Sequence, residues 1–254
     1  MSAILSLARH TVRELIRNRL FYLLIVFALL LIGASLILAR LTIGQWERII
    51  NDVGLATVQL AGALVAILVG VGLIAGEVDR RTVYVTLSKP VTRTQFVVGR
   101  YLGLCANLVM LVAVMGAALW AVLATTGYPM TATGLSALAL ITVELFVLAA
   151  FAVMFSSFTT PTLGVIFSVS VFVIGHLAGD LVSFAARMKG TSAKVLAILG
   201  RVVPNLDLLN LKTQAANQLP VPGTFVAKSA AYGLVYAVVA VTLAAAIFSR
   251  RDLK

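Results

Sequence analysis

Four polar residues stand inside long apolar stretches of the sequence, and their side chains are of the types that carry protons or line ion paths. They are Glu144, His176, Asp180 and Asn107. An unpaired carboxylate in hydrocarbon is costly, so Glu144 is expected to be protonated or to face a polar cavity. The four residues are therefore candidates for the lining of a translocation path. The alternative is that they hold helices together by hydrogen bonds.

His176 and Asp180 are one helical turn apart, which is also a spacing that suits a pair of metal ligands. Two ligands make an incomplete site, so we predict that the chain binds no metal. An intramembrane enzyme that used Glu144, His176 and Asp180 would need the three side chains to converge. The sequence contains no complete catalytic set, and we expect the chain not to be an enzyme.

The elements that must position these residues are membrane helices. Of the 254 residues, 61% are hydrophobic and 11% are charged, which is too apolar for a soluble domain. A run of about 20 apolar residues forms a helix long enough to cross the hydrocarbon core. Six such runs are predicted to be transmembrane helices, at 20–39, 55–75, 97–123, 135–155, 163–184 and 230–248. The expected fold class is an all-α integral membrane protein with one transmembrane domain over 1–254.

The fourth and fifth runs are separated only by the short stretch from Ser156 to Thr162. Pro161 can open the fifth helix, because the first turn of a helix does not use the N–H group that proline lacks. We therefore predict a tight helical hairpin at this junction.

Basic residues near the ends of the runs predict the orientation, because positively charged loops resist translocation. Four arginines precede the first run, five basic residues follow the second run and three lie in the C-terminal tail. Both termini are therefore expected in the cytoplasm. The segment 185–229 would then lie outside, in conflict with its own basic residues Arg187, Lys189, Lys194, Arg201 and Lys212. The first run is longer than the apolar part of a signal peptide and is expected to be retained.

The net charge of +11 lies mostly at these predicted membrane edges. There it sets the topology and meets anionic lipid, so the membrane is an expected partner and nucleic acid is not. The sequence contains no G-x-x-x-x-G-K-[ST] phosphate loop. We therefore expect no cofactor in this chain and no ATP hydrolysis by it. The single cysteine, Cys105, allows no disulfide within the chain.

Two segments outside the runs are predicted to be helical. Residues 1–19 have Ile4, Leu5, Ala8, Val12, Leu15 and Ile16 on one face and Arg9, Arg13 and Arg17 on the other. This pattern predicts an amphipathic helix on the cytoplasmic leaflet, or an exposed helix that serves only as a topology signal. The segment 185–229 favours short interfacial or re-entrant helices on the outer face, which could form a lid, or an irregular loop packed on the bundle.

The charged stretch 77–95 lies between the second and third runs. Val83, Tyr84 and Leu87 provide apolar side chains within it, and Pro90 breaks any helix that continues from the second run. Thr92 followed by Gln95 has the spacing of a capping box, which would start the third helix. A short element with apolar residues between charges suits docking into a partner's groove better than a plain connector does.

This stretch and the sequences around it resemble a known family. Glu77, Arg81, Thr82, Leu87, the pair Lys89-Pro90, Arg93 and "GRYLG" at Gly99–Gly103 are similar to the pattern of ABC type 2 transporter permeases, in particular of multicopper enzyme maturation permeases. The stretch "VVPNLDLLNL" at 202–211 and the ending "FSRRDL" at 248–253 are similar to that branch as well. Arg81 stands where the family often has glycine, and Lys89 where it often has arginine.

The resemblance implies a subunit that exports a substrate across a prokaryotic inner membrane. It also implies a second permease copy or paralogue and two separate ATPase subunits, which bind ATP and magnesium. It also implies that 77–95 is the coupling helix seated on the ATPase, with these contact residues: Glu77, Arg80, Arg81, Thr82, Val83, Tyr84, Leu87, Lys89, Pro90 and Arg93. Two other functions stay open. The chain could anchor an ABC-type complex that matures envelope proteins, or it could be the intramembrane enzyme considered above.

Overall fold

The computed structural model describes residues 2–40, 46–79, 92–126, 130–187, 200 and 202–250. These residues form helices and no strand, which confirms the all-α prediction for the described part of the chain. The helices are α1 (Ser2–Ile16), α2 (Arg19–Arg40), α3 (Trp46–Asp79), α4 (Arg93–Thr125), α5 (Ala132–Ser156), α6 (Pro161–Ala185), α7 (Lys212–Ala216) and α8 (Gly223–Arg250), with a 3₁₀ helix at Leu206–Leu209.

Five of these helices, α3, α4, α5, α6 and α8, are long and apolar enough to cross a membrane. In α2, among the residues whose side chains the structure describes, the apolar stretch covers Tyr22–Ile37. The helices extend beyond the apolar runs predicted from the sequence: α3 begins at Trp46 rather than at 55, and α8 begins at Gly223 rather than at 230. Hydropathy marks the residues that lipid can cover, whereas backbone hydrogen bonding continues to the next cap or turn.

Both local predictions at helix starts are confirmed. α5 ends at Ser156 and α6 begins at Pro161, which is the hairpin expected at this junction. At the start of α4 the Thr92 hydroxyl accepts from the Gln95 backbone N–H at 3.2 Å, and the Gln95 side chain accepts from the Thr92 N–H at 3.1 Å. This reciprocal capping box satisfies two N–H groups that the first turn leaves without helical partners.

Removing this cap should have a measurable local effect. Thr92→Ala is expected to lower the free energy of unfolding by about 1 kcal/mol, because the Gln95 N–H loses its acceptor. Thr92→Ser keeps a hydroxyl at the same place and should retain most of that stability. Unfolding of the purified protein in mixed micelles, followed by circular dichroism, compares the two variants. Equal losses in both would show that the cap contributes nothing.

The first residues of α4 contact the end of α8 at one end of the bundle. The Arg93 guanidinium donates to the backbone oxygens of Phe248 and Ser249, at 3.4 and 3.3 Å, at the end of α8. The rings of Phe96 and Phe248 stack with their centroids 5.8 Å apart. A cation near the last carbonyls of a helix is favourable, because those groups carry the negative end of the helix dipole. The end of α8 is thus held against the start of α4.

The N-terminal helix packs against this same part of α4, and two glycines allow the close approach. A Cβ atom added to Gly99 would stand 2.8 Å from Leu7 Cβ, and one added to Gly103 would stand 2.8 Å from the Ala8 carbonyl oxygen. The Gly72-x-x-x-Gly76 pair, where the sequence permits a similar contact, has no atom within 4 Å of either added Cβ. Of these two glycine pairs, the one in the "GRYLG" stretch therefore makes the close helix contact.

The face that α1 buries is narrower than the apolar face predicted from its sequence. Thr11 and Leu15 are fully or almost fully buried, whereas Leu5, placed on the same face by the prediction, is 73% exposed. The prediction treated all apolar positions as one surface. Contact with α4 takes only part of that surface, and Leu5 is left beside it.

Candidate functional site

Glu144 lies at the midpoint of α5 and is completely buried, and three polar side chains from three other elements surround it. The Gln59 amide nitrogen, from α3, is 2.9 Å from Glu144 Oε1 and 2.7 Å from Oε2. His176 Nε2, from α6, is 3.4 Å from Glu144 Oε1 and 2.8 Å from Gln59 Nε2. Lys212 Nζ, from α7, is 2.5 Å from Gln59 Oε1. We call these four residues the buried polar network.

The donors and acceptors of the network are compatible with one arrangement around Gln59. A lysine ammonium can only donate, so the Gln59 oxygen accepts from Lys212. The Gln59 NH₂ group must then face acceptors, which are the Glu144 carboxylate and the Nε2 lone pair of His176. His176 Nδ1 is 2.9 Å from the Phe172 carbonyl oxygen, which can only accept, so Nδ1 carries the hydrogen. Gln59 therefore bridges Lys212 to Glu144 and His176.

This arrangement also balances charge within an apolar bundle. The Lys212 ammonium and the Glu144 carboxylate both contact the Gln59 amide, so opposite charges lie on its two sides. The amide of Gln59 points its oxygen toward the ammonium and its nitrogen toward the carboxylate, so its dipole favours both charges. A carboxylate removed from water is costly unless it is hydrogen-bonded and near a positive charge, and the network provides the hydrogen bonds from Gln59 and places the Lys212 ammonium on the other end of that amide.

Lys212 reaches the network because residues 202–222, here called the insertion segment, fold back into the bundle. A Cβ on Gly175 would stand 2.7 Å from Leu206, and a Cβ on Gly233 would stand 3.3 Å from Leu209. Gly233 lies roughly 15 Å along α8 from its first residue, at about 1.5 Å per residue. The insertion segment therefore penetrates well below the start of α8, and two glycines provide the room for its leucines.

Further contacts hold the two sides of the insertion segment. The Asn205 N–H donates to the Tyr232 hydroxyl at 2.9 Å, and the Thr133 hydroxyl donates to the Leu219 carbonyl at 3.0 Å. α7 ends with a bond from the Leu219 N–H to the Gln214 carbonyl at 2.9 Å, with Gln218 in the left-handed region at φ 54°. This is the hydrogen-bond pattern of a Schellman motif, and it turns the chain toward α8.

The other two predicted path residues lie outside the network. Asn107 is fully buried, but its amide donates to the Gly103 carbonyl of its own helix at 2.9 Å, and its oxygen has no hydrogen-bond partner among the described residues. Asp180 is exposed on α6, one turn beyond His176. The enzyme hypothesis required Glu144, His176 and Asp180 to converge, and the structure brings only the first two together.

Gln59 and Lys212 are the two network residues that sequence reasoning did not select. Gln59 is an uncharged residue in an apolar run, and Lys212 is one of the basic residues of a segment that the sequence predicts to lie outside. Its bond to Gln59 removes part of the conflict noted for 185–229, because the partly buried Lys212 joins the network instead of marking a loop. A polar residue in each of several apolar runs was the available signal, but it does not show which of them meet.

A second buried charge, Arg100, joins α1 to α4 at the end of the bundle that holds Arg93. Its guanidinium donates to the Glu14 carboxylate at 2.6 Å and to the Thr11 hydroxyl at 3.2 Å. The Arg100 side chain is 5% exposed, whereas that of Glu14 is 50% exposed. The ion pair adds a polar connection beside Gly99 and Gly103, so α1 and the first turns of α4 form one packed unit.

Most of the predicted coupling residues lie outside the described part of the chain. These are Arg80, Arg81, Thr82, Val83, Tyr84, Leu87, Lys89 and Pro90. Glu77 lies in the last turn of α3. Arg93 opens α4 and contacts the end of α8, as described above. The docking role of all ten residues remains a prediction.

Two further observations concern the surroundings of the network. Among the described residues, no three His, Cys, Asp or Glu side chains come together as possible metal ligands. An apolar groove of about 520 Å³ lies between α4 and α5, lined by residues such as Val109, Trp120 and Leu138, and none of the network residues lines it. The network is therefore a packed polar centre of the bundle and not the wall of that groove.

Comparison with known proteins identifies the class to which this helical bundle belongs. The family model described as ABC-2 family transporter protein matches residues 5–253, which is nearly the whole chain. The chain belongs to this family and is a transmembrane permease of the ABC transporter class. Membership implies an ATPase subunit as a partner, since such permeases work with a separate nucleotide-binding subunit. Among curated proteins, no match was found.

Proposed function

We propose that this chain is a permease subunit that exports a substrate across a prokaryotic inner membrane, driven by a separate ATPase. The observation that carries the proposal is the family match over residues 5–253. Within the family, the proposed branch is that of multicopper enzyme maturation permeases, and the motifs quoted above support it. ATP and magnesium belong to the partner subunit, and a second permease copy or paralogue completes the transporter.

The proposed topology has six spans with both termini in the cytoplasm and α1 lying along the cytoplasmic leaflet. Its support is the clustering of three elements at one end of the bundle: α1, the start of α4 and the end of α8. The arginines that precede the first span and those of the C-terminal tail are near that end in sequence. Positively charged segments favour the cytoplasmic side. The insertion segment then faces the opposite side, as a lid of the translocation path.

The proposed ATPase contact is the stretch 77–95, whose flanks are α3 and α4. Arg93 and Phe96 at its far end are bonded and stacked to the end of α8, and α1 is packed beside them. A displacement of this stretch would therefore be transmitted to α1, α3, α4 and α8 together. This arrangement supports a role in transmitting closure of the ATPase dimer to the membrane helices.

The docking proposal predicts that Tyr84→Ala combined with Leu87→Asp will reduce ATPase capture at least about tenfold, because apolar anchors dominate binding at such contacts. The measurement is copurification of the nucleotide-binding subunit from native membranes in mild detergent, together with stimulated ATP hydrolysis. Val202→Asp is the control, since Val202 is apolar, 69% exposed and lies at the other end of the bundle. Unchanged capture by the double variant would contradict the docking role.

The anchor function remains the second candidate, because it would use the same ATPase. Substrate movement distinguishes the exporter from the anchor. In sealed vesicles that carry the complex, an exporter moves a substrate across the vesicle membrane, whereas an anchor does not. A membrane preparation that yields no ATPase with this chain would count against both.

A further inference from the structure

Lys212 is the one member of the buried polar network that does not come from a long helix. Gln59, Glu144 and His176 lie on α3, α5 and α6, which contact one another. Lys212 opens the five-residue helix α7 in the insertion segment. The network is therefore a contact between a rigid part of the bundle and a short element inserted into it.

The insertion segment is held on its apolar side by ordinary packing. Leu206, Leu209, Leu211 and Ala215 are buried by the surrounding helices. Such contacts are not specific in direction, and small displacements change them gradually. The Lys212 contact differs, because moving the ammonium away leaves Glu144, which is fully buried, without a nearby positive charge.

We propose that Gln59, Glu144 and His176 form a binding site for one positive charge, and that Lys212 occupies it as a latch that keeps the insertion segment closed against the bundle. The proposal concerns the lid of the path and so rests on the proposed transport function. Closure is favoured because both charges are paired only when the segment is seated. Opening exposes Lys212 to water and makes the site available to another positive group.

The latch predicts an unusual pattern among substitutions. Lys212→Gln leaves the fully buried Glu144 without a nearby positive charge, and Glu144→Gln leaves the partly buried Lys212 without a nearby negative charge, so each single change disfavours the closed form. The double variant buries neither charge, and replacing a buried pair as a whole is often close to neutral. Each single variant should therefore open the segment more than the double variant does.

A cysteine reporter measures this opening directly. Cys105→Ser removes the only native cysteine, and Ala215→Cys then places a thiol on α7 at a position that is 1% exposed. Ala149→Cys, at a fully buried position in the second half of α5, is the matched control that reports loosening of the whole bundle. The purified chain is labelled with a maleimide in detergent without any ATPase, and the rates at the two positions are compared.

Each single variant is expected to raise the labelling rate at position 215 by about tenfold or more, with position 149 unchanged, and the double variant should return to within about threefold of the parent. Equal rates in all four proteins would show that apolar packing alone holds the segment and would overturn the latch. A parallel rise at position 149 would also overturn it, because the network would then stabilise the whole bundle. The assay contains no ATPase, so its failure is distinct from failure of the copurification test.

Discussion

Replacing Gln59 by methionine is expected to destabilise the folded protein by roughly 3 kcal/mol or more. The change keeps the length of the side chain but removes the amide that accepts from Lys212 and donates to Glu144 and His176. A buried polar group that loses its partner costs about 1–3 kcal/mol, and more when the group is charged. Three groups lose a partner in this single substitution.

The measurement is unfolding in mixed micelles at increasing denaturing detergent, followed by circular dichroism. Gln214→Met is the matched control, because it makes the same chemical change at a position whose amide oxygen is buried with no hydrogen-bond partner among the described residues. Removing an unpaired acceptor should cost little or be favourable. Similar stability losses at the two positions would show that the loss of an amide, and not the bridge at Gln59, is what matters.

Gly103→Leu is expected to separate α1 from α4 and to cost about 1–3 kcal/mol or more, as overpacking of a close contact does. The first carbon of the new side chain would already stand 2.8 Å from the Ala8 carbonyl oxygen and 2.6 Å from Thr11 Cβ. A backbone atom cannot move aside as a flexible side chain can. The same displacement would weaken the bond between Arg100 and Glu14.

Limited trypsin digestion provides a local measurement of this effect, since Arg9, Arg13 and Arg17 lie on α1 or directly after it. A helix that detaches is cleaved faster, because proteolysis requires local opening. Gly72→Leu is the control, because a Cβ at Gly72 meets no atom within 4 Å. If digestion of α1 is as slow in Gly103→Leu as in the control, the close contact does not hold α1 in place.

Some features of this protein follow from short stretches of sequence. Apolar runs of membrane length gave the helical membrane class, Pro161 located the hairpin, and Thr92 with Gln95 located the start of α4. These signals are reliable because each depends on neighbours within a few residues. A cap, a proline and an apolar run act on the backbone locally, whatever the rest of the chain does.

The site could be predicted only in part. A carboxylate and an imidazole in apolar runs indicated Glu144 and His176, and the structure joins them, but Asn107 and Asp180 were equally good candidates by the same criterion. Successive positions on a helix point about 100° apart, so a small rotation decides whether a side chain faces the centre or the outside. The rotation depends on packing against all neighbours, which no single run contains.

The two glycine pairs illustrate the same difference. Gly72 and Gly76 have the same four-residue spacing as Gly99 and Gly103, and both pairs lie in membrane helices. Only the second pair has a helix, α1, against it. Likewise, the sequence indicates that Lys212 is a loop residue. In the folded chain the insertion segment brings it to the Gln59 amide, which links it to Glu144. Local residue types establish which elements form, whereas long-range packing establishes which side chains meet, because burial and charge pairing depend on partners distant in the chain.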